Sequence, residues 1–269
     1  MDLFCYCINL ESDTRRREHC STQYEEAGLS YEFVKATDGR TTPVAIPQPL
    51  STEEAKRWED VDRAALQFGF FNRGMNSAEH ACALSHYRVW EVISQKPEGW
   101  YMVNEDDFKL HEIQTLPSIL DAIQGSSFDM VYLGYRGGRM DDPSFKEHLQ
   151  RTWHAIKWSI SKRDIIATSR RNAVRFAHHK TTSSAQLLRS GMTWGGHAYC
   201  LTPAGARALM TTNRNLRFLP DEALRFAILE GIISAGCSSS KPFACEEEFG
   251  SHLRSGEDHA SHHQQFPSQ

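Results

Sequence analysis

The order of short apolar runs and longer stretches of helical period constrains this chain more than its composition does. Leu3-Phe4-Cys5-Tyr6-Cys7-Ile8-Asn9-Leu10 is apolar and aromatic and is bounded by Glu11-Ser12-Asp13, which predicts a buried strand. Asp13 or Thr14 can cap a helix over Arg15 to Ala27, and Gly28 closes it. Tyr31 to Ala36 reads as a second strand. Pro43, Pro47 and Pro49 then remove backbone donors and make a connecting loop. From Ser77 to Ser94, Ala78, Ala81, Cys82, Ser85, Val89, Val92 and Ile93 fall on one helical face, and Asn76 with Glu79 forms a capping pair. Trp100 to Val103, a helix over Glu112 to Ile123 and a strand over Phe128 to Gly134 repeat the strand, helix, strand order of a parallel sheet. Gly195 to Leu201 is a further strand, with Thr202-Pro203 as cap and first turn of a helix over Ala204 to Thr211. Leu219-Pro220-Asp221 opens another helix, which Gly231 ends. The expectation is one α/β domain over 1–250 with an irregular polar insertion at about 137–190, and a disordered His-rich tail over 251–269.

The remaining bulk properties mainly exclude. The 269 residues contain no apolar stretch near the roughly 20 residues that span a bilayer. A net charge of -4 gives no overall drive toward nucleic acid. Seven cysteines in scattered spacing match neither a disulfide framework nor a zinc knuckle, so Cys5 and Cys7 read as strand residues. The opening Met1 to Cys7 has no basic region followed by a long apolar core, which leads to the expectation of a cytoplasmic protein. The basic stretch Arg170 to Lys180 suggests peripheral contact with a membrane surface.

Candidate chemistry concentrates at the predicted strand ends. Glu105-Asp106-Asp107 follows Trp100–Val103 directly, where α/β sheets bind ligands, and carboxylates there can hold a divalent cation while leaving positions open. Glu246-Glu247-Glu248 and Asp141-Asp142 show that acidic runs occur here without a strand, so a solvated loop is the competing reading. Arg15-Arg16-Arg17 offers forked hydrogen bonds to phosphate, or a basic exposed helix face. Asp38-Gly39 is a turn or an acceptor for a ribose hydroxyl. Ser85-His86 has no local partner that would make it a catalytic pair. Asp221 and Glu222 open a helix, where capping competes with catalysis. His197 is either a strand residue or a ligand contact. His259 and His263 have the spacing of a zinc hydrolase but fall in the expected tail.

Taken in order, Ile8-Asn9-Leu10 with Arg15-Arg16, Ala36-Thr37-Asp38-Gly39, Ala78-Glu79-His80-Ala81-Cys82-Ala83-Leu84-Ser85-His86, Glu105-Asp106-Asp107, Gly195-Gly196-His197-Ala198-Tyr199 and Pro220-Asp221 resemble glycosyltransferase family 25, the lipooligosaccharide glycosyltransferases and related collagen galactosyltransferases. The resemblance implies a GT-A fold, a single Rossmann-like nucleotide-sugar-binding domain. It also implies inverting transfer of a sugar, galactose most often, from a UDP-sugar to a glycan, glycolipid or glycoprotein acceptor. On this basis Asn9, Leu10, Arg15, Arg16, Asp38, Glu105, Asp106 and His197 are expected to bind the donor. Asp107, with Glu105, would hold Mn2+ or Mg2+, and Asp221 is the candidate base. Asn104, Ala81 and Gly196 depart from the family pattern without removing a proposed ligand. The alternative is a module of the same fold that binds nucleotide or glycan without turnover.

Overall fold

The computed structural model describes residues 3–49, 51–67, 75–136, 180–181, 186–190 and 193–249. Strand β1 (Phe4–Asn9) lies between β2 (Ser30–Lys35) and β3 (Tyr101–Glu105) and runs parallel to both. Its neighbours on both edges and helices on both faces explain why its sequence is a continuous apolar run instead of an alternation. The crossover from β1 to β2 is α1 (Thr14–Ala27), in which the Asp13 side chain accepts from Arg16 N–H. Gly28 ends α1 at φ 64°, and its N–H reaches the carbonyls of Tyr24 and Glu25.

Further along, α2 (Thr52–Gln67) follows the proline-bearing loop and α3 (Ser77–Ser94) precedes β3. Asn76 and Glu79 form the reciprocal capping box that the sequence predicts for α3. The predicted helix at 112–123 begins instead with a 3-10 turn over Ile113–Thr115, and α4 proper runs over Leu116–Gln124, because Pro117 fits only the first turn of an α-helix.

The largest departure from expectation concerns the two strands flanking α4. β3 and β5 (Met130–Arg136) point the same way but are not neighbours, since β8 (Trp194–Leu201) runs between them, antiparallel to both. Ala198, Tyr199, Cys200 and Leu201 are fully buried, and an interior slot covers such a run on all sides. With β7 (Leu187–Arg189), β6 (Lys180–Thr181) and β9 (Ala235–Ser238), the sheet order is β2-β1-β3-β8-β5-β9-β7-β6. Within it β8 and β7 oppose the common strand direction. A small second sheet pairs β4 (Phe108–Leu110) with β10 (Phe243–Cys245).

The period of two along each strand feeds two cores. Tyr6, Ile8, Val103, Tyr132, Tyr199 and Leu201 face one side, where Val89, Trp90 and Ile93 of α3 join α5 (Pro203–Thr212) and α6 (Pro220–Leu229). Cys5, Cys7, Met102, Val131, Leu133, Ala198 and Cys200 face the other, against Cys20 and Tyr24 of α1 and Ile119 and Ile123 of α4. Each large side chain so buried contributes about 1.5–3 kcal/mol. The result is a mixed α/β architecture with a mainly parallel central sheet, consistent with a Rossmann-like single domain. Among the described residues no helix is long and apolar enough to cross a membrane. Most of the predicted insertion, including Asp141-Asp142 and the side chains of Arg170 to Lys180, and the predicted tail at 251–269 with His259, His262 and His263 lie outside the described residues.

Candidate active site

A cleft of about 730 Å³, open to solvent, lies where β1, β2 and β3 end. Leu10, Arg16, Asp38, Cys82, Glu105 and Asp107 are among the residues lining it. Ligand sites in α/β sheets gather at this edge because the loops that leave the strand ends converge there.

The loop after β2 is pinned to α3. Ser85 Oγ donates to the Ala81 carbonyl at 2.7 Å and accepts from Thr37 N–H at 2.9 Å, while Arg88 Nη1 reaches Thr37 Oγ1 at 2.9 Å. A Cβ at Gly39 would lie 2.2 Å from the Ser77 carbonyl oxygen, so the loop approaches the helix backbone as only glycine permits. Asp38 is held there in a fork, its two oxygens accepting from Arg40 Nε at 2.9 Å and Nη2 at 2.8 Å.

The three acidic residues separate into different roles. Asp106 is buried and accepts from Asn9 Nδ2 at 2.8 Å and from Arg16 Nη1 at 2.7 Å. Arg16 is itself buried and also donates to the Phe249 carbonyl at 2.9 Å. Asn9, Arg16 and Asp106 therefore form a clamp that fixes the turn after β3. Asp107, next in the turn, has a buried Oδ1 with no hydrogen-bond partner. Burial first, then the Glu105 and Asp106 charges, push its carboxyl up to about 7 against the opposing pull of Arg16. Glu105 ends β3 with its side chain 35% exposed, and its Oε1 lies 3.3 Å from the fully buried His86 Nε2. That spacing is an ion-pair contact, too oblique for a well-aligned hydrogen bond. Burial acts to raise the Glu105 carboxyl, but His86, His197 and Arg16 outweigh it and hold it below its ordinary value.

Asp221 sits in the first turn of α6, where its Oδ1 accepts from Glu222 N–H at 3.0 Å. Burial, then the Glu105 charge, raise its carboxyl. Gly196 of β8 lies between the groups: a Cβ there would be 3.4 Å from Glu105 Oε1 and 3.9 Å from the Asp221 nitrogen. His197 is buried and packs against Gly134. Arg15, by contrast, is largely exposed and pairs with Glu248. Cys82 Sγ, His86 Nε2 and a Glu105 oxygen fall within 4.8 Å of one another, a cluster that the sequence did not reveal because Glu105 reaches α3 from a different element.

A family described as glycosyltransferase family 25 (LPS biosynthesis protein) matches residues 3–224. The chain belongs to that family. Among similar proteins, a "Glycosyltransferase 25 family member" of Aedes aegypti is 29% identical over 143 residues, 51% of this chain and 22% of the relative. A "Procollagen galactosyltransferase 1-A" of Xenopus laevis is 26% identical over 142 residues, with the same shares covered. A "Probable inactive glycosyltransferase 25 family member 3" of Bos taurus is 23% identical over 224 residues, 81% of this chain and 30% of the relative. This family 25 chain thus aligns with less than a third of the length of each of these relatives.

Proposed function

We propose that this family 25 chain is a GT-A, metal-dependent glycosyltransferase that moves a sugar, galactose by preference, from a UDP-sugar to an acceptor hydroxyl with inversion. The observation that carries the reading is the buried, unpartnered Asp107 Oδ1 beside the ionised Glu105 in the cleft. Two carboxylates with a vacant oxygen suit a hard divalent cation such as Mn2+ or Mg2+. Bound there, such a cation supplies positive charge opposite a diphosphate leaving group.

The chain's own residues have distinct tasks under this reading. Asp38, fixed by Arg40 and by the Gly39 contact, offers acceptors to the ribose. Leu10 gives an apolar wall, and Arg16 brings positive charge to the phosphate region while its hydrogen bonds hold the turn. Asp221 takes the proton of the attacking hydroxyl, a role that its raised carboxyl suits, because a base is most effective when its pKa lies near the working pH. Galactose follows from the name of the Xenopus laevis relative. The acceptor class, glycan, glycolipid or glycoprotein, and a peripheral membrane contact in a cytoplasmic setting belong to the same proposal. The rival reading, binding without turnover, draws on the name of the Bos taurus relative. Retention of Glu105, Asp107 and Asp221 in one cleft favours catalysis.

The test is UDP release from a panel of UDP-sugars with and without manganese. Manganese-dependent release from one donor, reduced about a hundredfold or more in Asp107→Ala, is expected. No turnover and no UDP binding by calorimetry would refute the reading.

A further inference from the structure

Trp90 Nε1–H donates to Tyr199 Oη at 2.8 Å, and an indole nitrogen has no other hydrogen-bonding capacity. Tyr199 therefore uses an oxygen lone pair on Trp90 and must place its own hydroxyl hydrogen elsewhere. Both residues are fully buried, and among the described residues the acceptor within reach is His86 Nδ1, at 3.1 Å. With the Nδ1 lone pair so occupied, the neutral ring carries its proton on Nε2. That nitrogen faces Glu105 Oε1 and has no hydrogen bond to any other described residue.

We propose that His86 is a positioning residue, locked by Trp90 and Tyr199 as the Nε2–H tautomer, that holds one oxygen of Glu105 and leaves the other directed into the cleft. The second half of this statement rests on the cation reading of Glu105 given above. The need for such a group follows from the surroundings: the charges of Asp107 and Asp221 both act on Glu105, and an unrestrained carboxylate would turn away from them. Outer-shell donors of this kind orient ligands without binding metal. The same proton assignment argues against Cys82, His86 and Glu105 as a zinc cage, since a zinc-binding Nε2 must offer its lone pair.

Long-range proton–nitrogen spectra of the full chain, with His86 assigned by its loss in His86→Gln, read the tautomer directly. The expected result is Nε2–H in the wild type and a mixture of tautomers in Tyr199→Phe. Mn2+ affinity, followed by the electron paramagnetic resonance of the free ion, should fall about tenfold or more in His86→Ala and stay near the wild type in His86→Gln, whose amide keeps a donor toward Glu105. An Nδ1–H tautomer, a spectrum indifferent to Tyr199→Phe, or stoichiometric zinc lost in Cys82→Ser would overturn the proposal, as would equal weakening by Ala and Gln in folded protein. A wild type that binds no Mn2+ yet shows the Nε2–H tautomer would bring down the cation reading and still support the assignment of His86.

Discussion

Asp106 meets two donors, Asn9 Nδ2 and Arg16 Nη1, whereas Asp107 Oδ1 meets none. Neighbouring carboxylates of similar chemistry thus divide into one that holds the turn and one available to a ligand. From the sequence, Glu105-Asp106-Asp107 is legible as a carboxylate group at a strand end but not as three separate roles, because the partner that commits Asp106 lies 97 positions away. The same distance hides the His86–Glu105 contact. Gly39 belongs to this scale too. The sequence marks it only as half of an Asp-Gly turn, yet its close approach to Ser77 and Ala78 sets how near Asp38 sits to α3. The atoms facing an added Cβ are backbone, so Gly39→Ala must push the loop off the helix. A loss of about 1–3 kcal/mol in urea unfolding and weaker UDP binding by calorimetry are expected. Unchanged UDP affinity would disconnect this loop from the donor.

At the scale of elements, the helices were readable because their signals are local: Asn76 with Glu79, Asp13 with Gly28, and Thr202 with Pro203 act within a few residues. Sheet order was not. The slot of β8 depends on which strand is buried on both faces, and pairing across it joins residues such as Val103 and Tyr199 from distant parts of the chain. The end of α3 that is capped locally also carries Ala78 and Cys82 into the cleft. Asn76→Ala removes the acceptor for Glu79 N–H at 2.9 Å and should cost about 1 kcal/mol, seen as a lower urea midpoint with an unchanged slope. Asn76→Asp keeps a capping oxygen and should stay near the wild type. Equal losses in the two variants would show that the side chain acts through something other than the cap.

At the scale of the whole molecule, two cores grip both faces of the sheet, and the acidic groups of the cleft collect at one of its edges. Crowding carboxylates at that edge opposes stability when they ionise. Glu222 gives the clearest measure: burial, then the Asp221 charge, push its carboxyl from 4.5 up to about 7, while its Oε2 accepts from Leu219 N–H at 3.3 Å. Below the lower value the carboxyl is protonated in the folded and unfolded states alike. Between the two values only the folded state keeps the proton, so it binds more protons than the unfolded chain and stability falls as pH rises through this window. Above about 7 the loss is complete, on the order of 2 kcal/mol once partial solvent access is allowed for. Glu222→Gln retains an oxygen for Leu219 and removes the ionisation. The variant should therefore exceed the wild type in guanidinium unfolding at about pH 8, with the gap shrinking as pH is lowered toward 4.5. A gap that stays constant with pH would mean that the Glu222 carboxyl ionises alike in the folded and unfolded chain, and would assign the destabilising charge to other carboxylates of this edge.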